Sequence, residues 1–335
     1  MSSFAEIVGH ENIIEHFRRA IREGKVSHSY ILSGEAHAGK MMLAESFAKA
    51  LHCTDPSSRT TGEACGRCIS CLQAESHNHP DIIYVTHEKT VISVEDVRQQ
   101  IVATADILPY SGDYKVYIVD EAERMNEQAQ NALLKTIEEP PAYVVILLLT
   151  TNTNQLLATI RSRCVEMPVH PVSEAKIRRF LMQKYELQDY SAQVAAAFSQ
   201  GNVGKAVQFA SSGTFTEQKE KMTEIMKRMP RMHFSELMGY VKDLSGAKKE
   251  IDTYLDFVTI WLRDVLLAKA CGEQAKLICR EEERDIKNQA AHVTYEGLER
   301  SFRAVQGAKA RFHANVNFEV ALETMLVQLR DEFLE

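Results

Sequence analysis

A short apolar run, Tyr30-Ile31-Leu32, leads directly into Ser33-Gly34-Glu35-Ala36-His37-Ala38-Gly39-Lys40-Met41. An amphipathic pattern follows, with Ala44, Phe47, Ala48 and Leu51 at i, i+3, i+4 and i+7. Strand, glycine turn and helix in that order constrain the fold more than any other feature of the chain. Such a turn aims backbone amides at phosphates, its lysine reaches the outer phosphate oxygens, and the hydroxyl after the lysine ligates Mg²⁺. Gly34, Gly39 and Lys40 keep the G-x-x-x-x-G-K spacing, but Met41 replaces the Ser or Thr. A thioether is a poor ligand for a hard cation. The pattern predicts a nucleotide-binding architecture whose magnesium chemistry is broken.

The rest of the N-terminal half supports a parallel α/β sheet. Ser29–Leu32, Ile82–Val85, Val116–Asp120 and Tyr143–Thr151 are short and almost wholly apolar, with helical patterns between them. Strands of this kind are buried on both faces by covering helices. After Pro168 no strand-like run returns. Helices are expected from Ser173 to about Leu187, over Ser191–Ser199 and after Gly201-Asn202-Val203-Gly204, with Ser211-Ser212-Gly213-Thr214 as a linker. Long amphipathic helices are expected near Glu217–Arg228, His233–Leu244, Lys248–Cys271, Tyr295–Ala314 and Asn317–Phe333. The expected domains are an α/β nucleotide-binding domain over 1–165, a small three-helix lid over 166–212 and an all-helical collar over 213–335. The collar's wide apolar stripes, such as Leu255, Val258, Trp261, Leu262 and Val265, suggest a role in oligomerisation.

Three further clusters carry chemistry. Lys115-Val116-Tyr117-Ile118-Val119-Asp120-Glu121 is a hydrophobic strand ending in two acids. That places Asp120 on the metal side of a phosphate site and Glu121 where it could activate water. Cys53, Cys65, Cys68 and Cys71 are spaced C-x₁₁-C-x₂-C-x₂-C, which fits a closed, structural Zn²⁺ tetrahedron. An iron–sulfur cluster or free thiols are the alternatives, and His52, His77 and His79 stand near enough to substitute. Ser162-Arg163-Cys164 puts a cation at the end of the α/β domain. Arg163 there either serves as an arginine finger acting on a neighbouring subunit's phosphates or pairs with a local carboxylate.

Together these residues resemble the clamp-loader branch of the AAA+ proteins, and within it the delta-prime subunits of bacterial DNA polymerase III. The resemblance covers the whole chain. It draws further on Ile7-Val8-Gly9-His10, Ser27-His28-Ser29-Tyr30, His79-Pro80-Asp81, Ile92-Ser93-Val94-Glu95-Asp96-Val97-Arg98 and Asn131-Ala132-Leu133-Leu134-Lys135-Thr136-Ile137-Glu138-Glu139-Pro140-Pro141. It implies Asp120 and Glu121 as the second nucleotide motif, Thr151 as the polar residue of the sensing strand, and Arg163 as the finger. Lys205 stands where active relatives place the lid's sensor arginine. The implied function is a non-hydrolysing subunit that assembles with delta and gamma/tau chains to place a sliding clamp on primer-template DNA. Lys40 and the acid pair remain, so ATP binding without hydrolysis stays open.

Two rival functions are weighed against this one. An ATP-hydrolysing gamma/tau-type subunit is favoured by the acids and opposed by Met41. A zinc-dependent DNA-binding module would use the cysteine loop and the helix bearing Arg18, Arg19, Arg22 and Lys25. It is opposed by a formal net charge of −7 and by the lack of an aromatic stacking platform. No apolar run approaches a membrane span and no signal peptide is apparent, so a cytoplasmic location is expected.

Overall fold

The computed structural model describes residues 3–87, 90–211, 214–314 and 316–334. Two compact units divide the chain, Met1–Lys184 with Gln200–Ala206, and Tyr185–Ser199 with Val207–Glu335.

The first unit is built on five parallel strands, β1 (Ser29–Ser33), β2 (Ile82–Val85), β3 (Lys115–Val119), β4 (Val144–Thr150) and β5 (Val165–Pro168), in the order β2-β3-β4-β1-β5. Alternate side chains feed two separate cores. Tyr30, Leu32, Val116, Ile118, Val145 and Leu147 face one side, whereas Ile31, Tyr117, Val119, Ile146 and Leu148 face the other. Period-two alternation with apolar residues on both faces requires helices on both faces. α1 (Glu11–Glu23) and α2 (Lys40–Leu51) cover the first side. α3 (Pro56–Thr61) and α4 (Ile69–Glu75) carry the cysteine segment. The second side is covered by α5 (Val94–Val97), a π-helical turn (Arg98–Val102), α6 (Ala103–Ala105), α7 (Glu127–Glu138) and α8 (Ala158–Arg161). Ser93 and Asp96 form a reciprocal capping box that starts α5. α9 (Glu174–Tyr185) follows β5, and α10 (Asp189–Phe198) belongs to the second unit. α11 (Val203–Ser211) runs across the division at Ala206.

The strand β5 was not among the expected elements. It is a sheet-edge strand with only Met167 buried, so it lacks the continuous apolar run that marks the others.

The second unit is helical among its described residues: α12 (Thr214–Arg228), α13 (Phe234–Ser245), α14 (Ile251–Cys271), α15 (Glu283–His292), α16 (Tyr295–His313) and α17 (Phe318–Phe333). The stripe Leu255, Val258, Trp261, Leu262 and Val265 is wholly buried within this unit's own core, so it offers no free surface. α15 was not expected either. It buries only two apolar residues, Ile286 and Ala290, beside a polar one: Gln289 accepts from Trp261 Nε1 at 2.8 Å and donates to the Met226 carbonyl at 2.7 Å. Of the expected linker, Ser212 and Gly213 lie outside the described residues, while Ser211 and Thr214 are helical.

Candidate functional site

In a parallel sheet the loops at the carboxyl ends of the strands share one edge, and crevices form there. The order β3-β4-β1 brings three such ends together: the glycine turn after β1, Asp120 after β3, and Thr151 after β4. They line a cavity of about 390 Å³, with Gly39, Lys40, Met41, Asp120, Glu121 and Thr151 in its wall. Gly34, Lys205 and Arg163 are not part of that wall. Gly34 packs beside Val169, where a Cβ would come within 2.7 Å of the Val169 carbonyl oxygen.

The turn is held shut by its own chain. Lys40 Nζ donates to the carbonyls of Gly34 and Glu35, each at 2.7 Å. The lysine is buried, and desolvation lowers its pKa against the pull of Asp120, Glu123 and Glu35. Asn202 Nδ2 donates to the Ala36 carbonyl at 2.8 Å, and the Gly204 amide to the His37 carbonyl at 3.2 Å. A Cβ on Gly204 would approach that same oxygen to 2.4 Å, so only glycine lets the two segments meet this closely. Gly39 sits at φ +95°, the left-handed region that starts α2. Met41 packs partly into the core under α2 as well as lining the cavity.

The acids are arranged differently from the sequence expectation. Glu121 adopts φ +49° and its carboxylate lies 2.8 Å from Arg124, a pairing that competes with activation of water. Glu123, which carried no expected role, takes the polar centre. It accepts from the Thr151 hydroxyl at 2.5 Å and the Thr151 amide at 3.2 Å. Burial pushes its carboxyl up, but these bonds outweigh burial and leave it below the ordinary range. Its signal was visible only as a third acid in Asp120-Glu121-Ala122-Glu123. Asn202 gave no sequence signal beyond its place in Gly201-Asn202-Val203-Gly204. Lys205 lies in the first turn of α11, its amide donating to Asn202 Oδ1 at 3.1 Å.

Cys53, Cys65, Cys68 and Cys71 converge, with all four sulfurs within 4.8 Å of one another. Cys65 Sγ and Cys71 Sγ are 4.0 Å apart. A tetrahedral centre with metal–sulfur bonds near 2.3 Å has sulfur–sulfur edges of about 3.8 Å, so the set fits a metal ion. Backbone amides point at three of the sulfurs: Cys65 donates to Cys53 Sγ at 3.3 Å, Cys68 to Cys65 Sγ at 3.4 Å and Cys71 to Cys68 Sγ at 3.4 Å. Burial pushes the Cys68 thiol up, but bonds from Thr54 and the Cys71 amide bring it down to about 6. Among the described residues all seven cysteines are free of disulfides.

His52 and His79 are not cysteine substitutes but neighbours in a buried network with Asp81. Ser70 Oγ donates to the His52 carbonyl at 2.7 Å and meets His79 Nε2 at 3.0 Å. Asp81 accepts from the amides of Tyr110 and Ser111 at 2.6 and 2.8 Å.

Arg163 follows α8 on the surface. Its Nε is 3.0 Å from Glu138 Oε1, and its Nη1 donates to the Thr159 carbonyl at 3.0 Å. The basic face of α1 is largely neutralised within the chain: Arg18 pairs with Glu63, Arg22 with Glu15 at 2.6 Å, and Lys25 with Glu23 at 3.6 Å. Among the described residues no helix is long and apolar enough to cross a membrane.

Comparison with known proteins places this geometry in a lineage. A family model described as "DNA polymerase III, delta subunit" matches residues 9–173, and one described as "DNA polymerase III, delta subunit, C terminal" matches residues 239–331. The DNA polymerase III subunit delta' of Bacillus subtilis is 29% identical over 318 residues, 93% of each chain. The subunit tau/gamma of Haemophilus influenzae is 36% identical over 179 residues, 53% of this chain but 25% of that longer one. The subunit tau of Bacillus subtilis is 26% identical over 347 residues, 95% of this chain and 60% of its own length. With residues 9–173 and 239–331 both matched, and a relative aligned over 93% of each chain, the chain belongs to the family of DNA polymerase III clamp-loader subunits.

Proposed function

We propose that this chain is the non-hydrolysing, delta-prime-type subunit of the clamp loader. In this reading it assembles with delta and gamma/tau chains in the cytoplasm to place a sliding clamp on primer-template DNA. The observation that carries the reading is the self-closed phosphate loop. Met41 removes a magnesium ligand, and the Lys40 ammonium is satisfied by the Gly34 and Glu35 carbonyls. A lysine already desolvated and bonded must break two hydrogen bonds before it reaches a phosphate. Gly34, Gly39, Lys40, Asp120, Glu121, Thr151 and Lys205 are then remnants of a nucleotide site. The proposed working partition is 1–165, 166–212 and 213–335, with the last part joining the subunits.

Arg163 is proposed as the residue this chain contributes to catalysis, reaching an ATP held by an adjacent gamma/tau subunit. Its exposure, its position just past α8 and its pairing, among the described residues, with one carboxylate, Glu138, support the role. Structural zinc on the four cysteines is proposed to fix the segment between α2 and α4.

The second reading, an ATP-hydrolysing gamma/tau-type subunit, draws on the surviving cavity and its acids. Steady-state ATP turnover by the purified chain separates the two. A rate like that of an active motor subunit would overturn the first reading, and turnover at background supports it.

A further inference from the structure

A groove of about 320 Å³ lies between α16 and α17 in the second unit. Arg300, Arg303 and Arg311 project into it from α16, and Gln328 and Glu332 from α17. At about 100° per residue the three arginines fall within one narrow stripe of the helix. Arg303 and Arg311 are eight residues apart, about 12 Å along the axis, and Gly307 stands midway between them.

Two features mark this groove as built for something outside the chain. A Cβ on Gly307 would meet nothing within 4 Å, so the packing of this chain does not require glycine there. Glycine inside a helix nonetheless costs about 1 kcal/mol relative to alanine. The second feature is the state of the cations. Arg300 is committed to Glu332 through two bonds at 2.5 and 2.7 Å. Arg303 has an exposed partner one turn back, Glu299 at 2.6 Å, a pairing of little worth in water. The Arg311 guanidinium has no hydrogen-bond or ion-pair partner among the described residues.

We propose that this groove seats the phosphate backbone of a nucleic acid, with Arg303 and Arg311 each gripping a phosphate of one strand across the Gly307 notch. The Arg300–Glu332 pair fixes the end of the groove. Guanidinium forks match phosphate oxygens, and the missing Cβ lets a tetrahedral group approach the helix backbone. An acidic protein partner fits less well, because Ala304 is the one apolar side chain in the wall and a protein interface needs an apolar centre. Against a net charge of −7 the attraction is local, so binding is weak, independent of base sequence and sensitive to salt. The proposal goes beyond the clamp-loader reading and does not depend on the state of the nucleotide cavity.

The test is fluorescence anisotropy of a labelled oligothymidylate and of a short duplex, titrated with the full-length chain over a range of salt. The unaltered chain is expected to bind at low salt. Arg303→Glu with Arg311→Glu should weaken binding at least ~10-fold and, on the single strand, lower the log–log salt slope by about 1.4, roughly 0.7 for each lost contact. Gly307→Leu should weaken binding while keeping or raising the melting temperature, which separates a filled notch from misfolding. Failure of the unaltered chain to bind, or equal affinity in all three proteins, would overturn the proposal. So would loss of association with the other polymerase III subunits while DNA affinity stays intact, since that assigns the groove to an acidic protein partner.

Discussion

The ammonium of Lys40 donates to the carbonyl of Gly34 at 2.7 Å, a group six residues earlier in the same turn. With its second bond, to the Glu35 carbonyl, the ammonium ties the turn to itself. Asn202 and Gly204 close the same turn from the other side. The turn is packed from both sides, with a cavity beside it.

ATP turnover by the purified chain should be at background, and Met41→Thr should leave it there. The hydroxyl restores one magnesium ligand, but Lys40 stays bonded to Gly34 and Glu35, and Glu121 stays against Arg124. A coupled-enzyme assay checks both proteins. Robust turnover from the single change would show that the missing ligand alone silences the site.

Asn202→Ala should destabilise the first unit by roughly 1–3 kcal/mol, because the side chain bonds both the Ala36 carbonyl and the Lys205 amide. Urea unfolding is the measurement. The same change should raise hydrogen exchange across residues 34–40, since the turn loses its bonds from Asn202 to Glu35 and Ala36.

Asp81 gives a pH prediction with a definite sign. It is buried; desolvation pushes its carboxyl up, but the amides of Tyr110 and Ser111 and the Ser111 hydroxyl outweigh that and hold it below the ordinary carboxylate range. His52 and His79 lie beside it, and the charge of Asp81 opposes the desolvation that lowers the Lys115 pKa. A depressed pKa adds stability that is present above the unfolded value, near 4, and lost as pH falls through the folded value. The urea midpoint should therefore decline below about pH 4. Asp81→Asn should cost about 2–3 kcal/mol at neutral pH and flatten that decline. An unchanged acid limb in the variant would remove Asp81 as its cause.

Four of the five strands were legible because each is a short apolar run, and both cores follow from alternation along them. β5 was hidden because it buries one residue, Met167, whereas the other edge strand, β2, buries Ile82 and Val85. α15 was hidden because its short apolar face is only Ile286 and Ala290, and the third buried residue, Gln289, reads as surface until Trp261 and Met226 are seen around it. At the cavity beside the glycine turn, Gly39, Lys40 and Asp120 were singled out by spacing alone. The roles of Glu123 and Asn202 depend on partners 28 and 166 residues away, Thr151 and Ala36. No local pattern reports such distances. The cysteines were the easiest, since close spacing in the chain already forces the sulfurs together.

The four cysteines should bind one equivalent of Zn²⁺. Cys71 is the buried member, and Cys71→Ser should lose the metal and loosen the segment from Cys53 to Cys71. Elemental analysis and a thiolate–metal absorption titration with cobalt read the metal directly, apart from any activity. Iron and colour in the isolated protein would assign the site to an iron–sulfur cluster.

Arg163 carries the last prediction. Its bond to Glu138 joins two half-exposed side chains, so in this chain alone it contributes at most ~1 kcal/mol. Arg163→Ala should therefore leave the melting temperature, metal content and assembly with delta and gamma/tau chains essentially unchanged. A guanidinium that reaches a neighbour's γ-phosphate stabilises the charge that builds during transfer, an effect on the order of 10³–10⁵ where such a finger is catalytic. Clamp- and DNA-stimulated ATPase of the reconstituted complex should fall accordingly at one interface. Arg163→Lys should rescue only part of the loss, since an ammonium cannot fork two oxygens. Glu138→Gln separates the two roles of the arginine. Releasing the local carboxylate should leave clamp-stimulated ATPase intact or raise it if Arg163 works in the neighbouring site. If Arg163 is instead a surface partner for Glu138, both Arg163→Ala and Glu138→Gln will load clamps as the unaltered chain does.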